Sequence, residues 1–286
     1  MKDEILKSYY SNPKDLINYS HNVNIDYYKY DFHLHELFEI YFFISGNVNY
    51  FVENKVYHLK YGDLLVMNNH EIHRPSVIYP GSRYERIVIH FEPSLVQAFN
   101  PPEMDLLSCF INRPKGENNR ISLSRSQVDE ILLMFSKIEN FQKSMAPDSA
   151  LLKLVTFIEL IIFINNIYIS MKNRSTGEIS SDIPGKLADI IDYIDKNLDK
   201  DLSLESLERT FYLNKYYLSR QFKKYTGSNI HEYILYKRIS KAKALLSEGY
   251  RTTDTSIMCG FNDYSNFYRM FKKTVGVSPS DYRKTT

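Results

Sequence analysis

Alternation dominates the first third of the chain. Glu39-Ile40-Tyr41-Phe42-Phe43-Ile44 is rich in aromatic and β-branched residues and stops at Ser45-Gly46-Asn47. Short apolar runs follow at residues 48–52, 56–59, 64–67 and 86–91, punctuated by Glu53-Asn54-Lys55 and Tyr61-Gly62-Asp63. Short strands at this spacing predict a sandwich or small barrel over about residues 20–95. A period of two places Glu39, Tyr41 and Phe43 on one face of their strand, and Arg86, Val88 and His90 on one face of another.

The period changes after Ser124. Val128, Ile131, Leu132, Phe135 and Ile138 recur at helical spacing, Pro147-Asp148 interrupts, and an apolar helix follows over about residues 150–170. That helix carries Lys153, Glu159, Asn165 and Asn166, and its longest charge-free run, 160–171, falls short of the roughly 20 apolar residues of a membrane span. A buried or dimer-forming helix is the better reading. Residues 172–183 are polar and read as a linker. From Pro184 onward the pattern is helical, broken at Thr226-Gly227-Ser228, Gly249, Cys259-Gly260 and Val275-Gly276. The expected fold is α+β multidomain: a β-barrel with following helices at 1–171, a linker at 172–183 and an all-α domain at 184–286.

Composition narrows the class. Hydrophobic residues make up 43% and charged residues 24% of 286, which excludes wholesale disorder. Cys109 and Cys259 supply neither a disulfide framework nor a cysteine zinc finger. The first residues lack the apolar core of a signal peptide, so the expected compartment is a reducing cytoplasm, with no membrane partner. The net charge of +2 hides an asymmetry: residues 185–286 hold 18 Lys+Arg against 12 Asp+Glu, while 1–184 hold 18 against 22. From Asn214 onward the balance is 14 against 5, an excess of +9. A basic segment of this kind is a footprint of polyanion binding, although solvated basic helices share it.

The basic segment repeats itself. Arg220-Gln221-Phe222-Lys223-Lys224-Tyr225-Thr226-Gly227 aligns with Arg269-Met270-Phe271-Lys272-Lys273-Thr274-Val275-Gly276 at an offset of 49 residues. Leu218 pairs with Phe267, Tyr233 with Tyr282, and Asn214 with Asp263, both suited to cap a helix. Each copy reads as a short helix (about 204–210 and 253–258), a turn and a longer helix, the outline of a helix-turn-helix. One face of each longer helix is apolar. The other collects Tyr216, Ser219, Arg220 and Lys223 in the first copy and Ser265, Tyr268, Arg269 and Lys272 in the second, with Tyr264 near the start. Tyr216, Ser219, Arg220, Ser265, Tyr268 and Arg269 suit base contacts; Lys215, Lys223, Lys224, Lys272 and Lys273 suit phosphates. A helix over 230–247 would span about 27 Å, near the roughly 34 Å between successive major-groove segments.

At these residues the segment from about Leu187 to Arg283 resembles the DNA-binding domain of AraC/XylS-type transcriptional regulators. The resemblance rests on Leu218-Ser219-Arg220-Gln221-Phe222-Lys223, on Arg238-Ile239-Ser240-Lys241-Ala242-Lys243-Ala244-Leu245-Leu246, and on residues 260–267 and 271–279. It implies double-stranded DNA as a partner, a homodimer, RNA polymerase as a further partner if the protein activates, and no enzymatic reaction. Where the family usually has Ala in each short helix, this chain has Glu208 and Ser256. Glu208 must tilt outward or find a partner, and the Thr252-Thr253-Asp254-Thr255-Ser256 helix is expected to pack more weakly.

Residues 30–75 resemble the two cupin motifs: His33-Leu34-His35-Glu36-Leu37-Phe38-Glu39, then Gly62-Asp63, Asn68 and His73. Asn68 and His70 depart from the usual Pro and Gly. In cupin enzymes the matching residues hold a divalent metal, and imidazole with carboxylate suits one. Three readings stand: a small-molecule effector, a carbohydrate in the first instance, held by His33, His35, Glu39, Tyr41, His73, Arg86 and His90; a metal on His33, His35, Glu39 and His73; or a purely structural set. The effector reading comes first and requires no cofactor. A metal-dependent enzyme carrying a DNA-binding module and an effector-free architectural protein are the rival functions. The helices at 125–143 and 147–171 resemble the dimerisation part of such sensors.

Overall fold

The computed structural model describes residues 2–25, 37–79, 81–173, 185–226 and 228–285. His33, His35 and most of the expected linker, 174–183, lie outside them. The chain opens with helices α1 (Lys2–Ser11) and α2 (Pro13–Leu16), then strands β1 (Ile17–Asn24), β2 (Phe38–Ser45), β3 (Val48–Val52), β4 (Lys55–His58), β5 (Leu64–Met67), β6 (His73–Val77) and β7 (Tyr84–Phe91). Short helices α3 (Pro93–Gln97) and α4 (Ser108–Ile111) and strand β8 (Arg120–Ile121) lead to the long helices α5 (Arg125–Lys143) and α6 (Ser149–Asn173).

The strands form two antiparallel sheets, ordered β1-β7-β2-β5-β8 and β4-β3-β6. Sequence alternation decides what each face meets. Phe38, Ile40 and Phe42 of β2 join Ile87, Ile89 and Phe91 of β7 in the core under α5 and α6. The intervening Tyr41 and Phe43 face the second sheet and pack with Tyr50, Val52, Tyr57, Leu65, Met67, Tyr84 and Val88. The outward side of the smaller sheet is apolar too, through Phe51 and Val56.

Helix α5 starts where Ser124 and Gln127 form a reciprocal capping box, satisfying two donors that a helix start otherwise leaves unpaired. Helix α6 buries Leu154, Phe157, Leu160, Ile161 and Ile164, each worth about 1.5–3 kcal/mol. Its polar residues have partners. Buried Asn165 accepts from the Cys109 amide at 3.1 Å and donates to the Asp105 carbonyl at 3.2 Å. Lys153 donates to the Ile17 carbonyl at 2.6 Å, and burial brings its ammonium down to about 8. These side chains tie α6 to the β unit, although its length and apolar composition alone would suffice to cross a membrane. One stripe, Leu151, Val155, Ile162 and Ile169, remains exposed.

The C-terminal unit is helical: α7 (Gly185–Lys196), α8 (Leu204–Phe211), α9 (Lys215–Thr226), α10 (Ile230–Ser247), α11 (Thr252–Met258), α12 (Tyr264–Val275) and α13 (Pro279–Thr285). Its core gathers the repeated apolar pairs: Leu218 with Phe267, Phe222 with Phe271, and Tyr233 with Tyr282 are all buried. Left-handed residues close the two short helices, Tyr212 after α8 and Gly260 after α11. At Gly260 a Cβ would stand 2.2 Å from the Leu198 carbonyl oxygen, so the close approach of the α7–α8 loop admits only glycine.

Candidate nucleic-acid interface and sensor cluster

Helices α9 and α12 start on matched caps. The Asn214 carboxamide accepts from the Tyr216 amide at 3.0 Å, and Asp263 accepts from Ser265 and Asn266 at 3.2 and 2.8 Å. With the stripes Leu218–Phe222 and Phe267–Phe271 turned inward, the opposite faces are open. Tyr216, Arg220, Lys223 and Lys224 are exposed on α9, and Tyr264, Ser265, Tyr268, Arg269, Lys272 and Lys273 on α12. Lys215 and Ser219 are half-buried. Two features thus recur at equivalent positions: an exposed arginine at mid-helix, Arg220 and Arg269, and an exposed lysine pair toward the helix end.

The departures in the scaffold helices have local solutions. Glu208 accepts from the Lys215 amide at 3.1 Å, so the acid at an expected Ala position caps the next helix. In α11, Ser256 donates to the Thr253 carbonyl at 2.7 Å, and both Thr255 and Ser256 are buried. The Ser256 hydroxyl is thus satisfied within its own helix, whereas the buried Thr255 hydroxyl has no hydrogen-bond partner among the described residues.

The second cluster lies between the sheets. Glu39 and His90 are direct partners across β2 and β7, followed by Tyr41 with Val88 and Phe43 with Arg86. The Glu39 carboxylate, 2% exposed, accepts from the Tyr50 hydroxyl at 3.1 Å and meets His73 Nε2 at 3.3 Å and His90 Nε2 at 2.9 Å. His73 Nδ1 faces the Glu71 carbonyl at 2.9 Å. Both ring nitrogens of His73 therefore face acceptors, an arrangement that only the imidazolium satisfies. Burial works against that charge, but the Glu39 carboxylate together with the Glu71 carbonyl and carboxylate outweighs it, and the His73 pKa is raised above its ordinary value. Tyr50 stacks on the His73 ring with centroids 6.2 Å apart. Tyr41 and Tyr84 share a hydroxyl hydrogen bond of 2.7 Å, and the Arg86 guanidinium lies 4.2 Å from the Tyr84 ring centroid. Burial first, then the Tyr84 and Tyr50 hydroxyls at Tyr41 and the Glu39 carboxylate at Tyr50, push both hydroxyls well above the usual range, so both stay neutral.

Solvent reaches this cluster at His90, whose side chain is 30% exposed. The structure thus brings together Glu39, Tyr41, His73, Arg86 and His90 of the expected set; His33 and His35 lie outside the described residues. Among the described residues no three His, Cys, Asp or Glu are grouped to hold a metal ion. Tyr50 and Tyr84 were not singled out from sequence. The alternation that selected Tyr41 points to both, since Tyr50 and Tyr84 sit at inward positions of β3 and β7.

Below the cluster, Glu71 fixes the loop before β6. Its carboxylate takes a bidentate pair from Arg113 at 2.6 Å and the Gly116 amide at 2.8 Å. Asn68 ends β5 in an Asx turn, its side-chain oxygen accepting from the His70 amide at 2.9 Å. The cupin departure at Asn68 is thus a different turn chemistry serving the same position.

Residues 21–112 match the family model of an AraC-like ligand binding domain, and residues 207–285 match that of a helix-turn-helix domain. The chain is 32% identical over 120 residues to the HTH-type transcriptional activator AarP of Providencia stuartii, covering 42% of this chain and 86% of AarP. It is 38% identical over 97 residues to the HTH-type transcriptional regulator YijO of Escherichia coli, covering 33% of this chain and 34% of YijO. Against ToxT of Vibrio cholerae the identity is 15%, with 94% of this chain and 98% of ToxT covered and a TM-score of 0.38. Matches to the first curated relatives span between 34% and 55% of their length.

Proposed function

The chain belongs to the AraC/XylS family of transcriptional regulators, and from that premise we propose that it reads two successive major-groove segments with α9 and α12 under the control of a small-molecule effector. The observation that carries the reading is the duplicated exposed face, Arg220/Lys223/Lys224 and Arg269/Lys272/Lys273, on helices whose other faces are locked into one core. Arg220 and Arg269 suit bidentate contacts to guanine, with Tyr216, Ser219, Ser265 and Tyr268 beside them. Lys215, Lys223, Lys224, Lys272 and Lys273 suit phosphates.

The effector site is the cluster of Glu39, Tyr41, His73, Arg86 and His90; His33 and His35, expected in the same set from sequence, lie outside the described residues. A buried carboxylate among hydroxyls and imidazoles, walled by tyrosine rings, is suited to a ligand rich in hydroxyl groups, and a carbohydrate is the class we assign. The exposed α6 stripe supports a homodimer. RNA polymerase is the further partner if the protein activates. No chemical step and no cofactor are required.

The test is DNA selected by the protein from a random pool, followed by titration of Arg220→Ala and Arg269→Ala. Each variant is expected to lose about 1–3 kcal/mol at particular base positions. Unchanged affinity and base preference in both would refute the assignment of these helices.

A further inference from the structure

Helix α10 joins the two helix-turn-helix units, and one stripe of it is docked on the β unit. Tyr233 meets Phe51 edge-to-face at 6.0 Å. One helical turn on, Lys237 forms a short ion pair with Glu53, and its ammonium also donates to Asp195 at 2.7 Å. Ser240 donates to the His70 carbonyl at 3.1 Å, and Lys243 to the Asn69 carbonyl at 3.1 Å. The spacing of 233, 237, 240 and 243 is that of one helix face. Glu53 is held from the β side as well, accepting from the Ile72 amide at 2.8 Å and facing Lys115 at 3.2 Å. Gly116 is pressed so close that a Cβ there would stand 2.6 Å from that of Glu53.

The docked strands are the ones that line the polar cluster. Phe51 faces α10 and its neighbour Tyr50 binds Glu39; Ile72 lies in the core shared with α10 and its neighbour His73 pairs with Glu39. Movement at the cluster therefore has a path one residue long to the helix that spaces the DNA-reading units.

We infer that Glu53 and Lys237 form an interdomain latch that holds α10 on the β unit and restrains DNA binding until the effector cluster is rearranged. The inference rests on the proposed function and adds its regulation. Its direction follows from charge and geometry. The latch removes Lys237 and Lys243 from solvent and brings the acidic residues 1–184 against the basic segment, which weakens attraction to a polyanion. Because α10 shares one core with both units, clamping its stripe holds the pair against the β unit and keeps it from settling freely on a duplex.

The test uses the full chain as wild type, Lys237→Met and Glu53→Gln. Amide hydrogen exchange is read over residues 51–56, 69–72 and α10, and DNA affinity on the sequence selected by the wild type. Both variants are expected to exchange faster there and to bind DNA at least about five-fold more tightly, the low end of allosteric coupling. Losing a cation at Lys237 by itself weakens DNA binding, so tighter binding by Lys237→Met reports the latch. If Lys237→Met fails to fold, Glu53→Gln, which keeps an acceptor for Ile72, carries the test. Unchanged exchange overturns the latch, as does faster exchange with DNA affinity unchanged or weaker. Arg220→Ala and Arg269→Ala that bind like wild type would instead remove the DNA-reading assignment beneath it.

Discussion

Replacing Glu39 by Gln removes one negative charge from the inter-sheet cluster while keeping its size. The carboxylate is 2% exposed and serves three groups: Tyr50, His73 and His90. Removing one partner of a buried ion pair costs about 3–5 kcal/mol. The lower end applies here, because His90 retains access to water and Gln still accepts from Tyr50. The cost depends on pH with a defined sign. The folded pKa of His73 is raised above 6.5, so its stabilisation is complete below pH 6.5 and lost as pH rises through the folded value. The assay is urea unfolding followed by tyrosine fluorescence, since the chain has 24 Tyr and no Trp. Wild type is expected to lose stability as pH climbs above 6.5 toward the raised pKa; Glu39→Gln is expected to start about 3 kcal/mol lower on the acid side and lose that slope. A cost under about 1 kcal/mol, with both proteins keeping parallel pH profiles, would show that the imidazolium–carboxylate pair is not what holds the cluster.

Two further outcomes follow from packing. Gly260→Ala forces a left-handed Ala and a Cβ 2.2 Å from the Leu198 carbonyl; it is expected to cost about 2 kcal/mol or more in thermal or urea unfolding, and an unchanged midpoint would disprove the close approach. Val155→Glu with Ile162→Glu places charge on the exposed stripe of α6; sedimentation is expected to show the proposed dimer for wild type and a monomer for the variant, and a dimer in both would move the interface elsewhere.

The double helix-turn-helix was legible because its information is local and repeated. The 49-residue offset named Asn214 and Asp263 as caps and Phe222 and Phe271 as core, and the structure places each of them so. The boundaries of α10 coincide with the expected 230–247. The strands were legible from their punctuation, and the face shared by Glu39, Tyr41 and Phe43 from strict alternation. Strand β1 was harder: Ile17-Asn18-Tyr19-Ser20-His21-Asn22-Val23-Asn24 carries too many polar residues to read as a strand over its full length. It is held by eight residues of register with β7, a tertiary cause that single-strand propensity does not contain. Glu208 shows the same limit. Its type conflicts with the family pattern, and only the approach of the α9 start reveals what it bonds.

Lys237 and Lys243 mark where reading by charge fails most consequentially. Within α10 they look like solvated or DNA-facing cations, and they contribute two of the 14 basic residues counted from Asn214 onward. Both are instead buried against the β unit. Burial of a lysine is costly without a partner, and the partners, Glu53 and the Asn69 carbonyl, come from a part of the chain more than 170 residues earlier. The cationic face offered by the docked molecule is therefore smaller than composition implies and is concentrated on α9 and α12. A salt titration separates the two states: the dependence of DNA affinity on salt scales with the phosphates neutralised, so a protein whose α10 stays docked should show a slope set by the α9 and α12 lysines and arginines alone. A steeper slope in Glu53→Gln than in wild type would mean that the α10 cations reach the duplex once they are released.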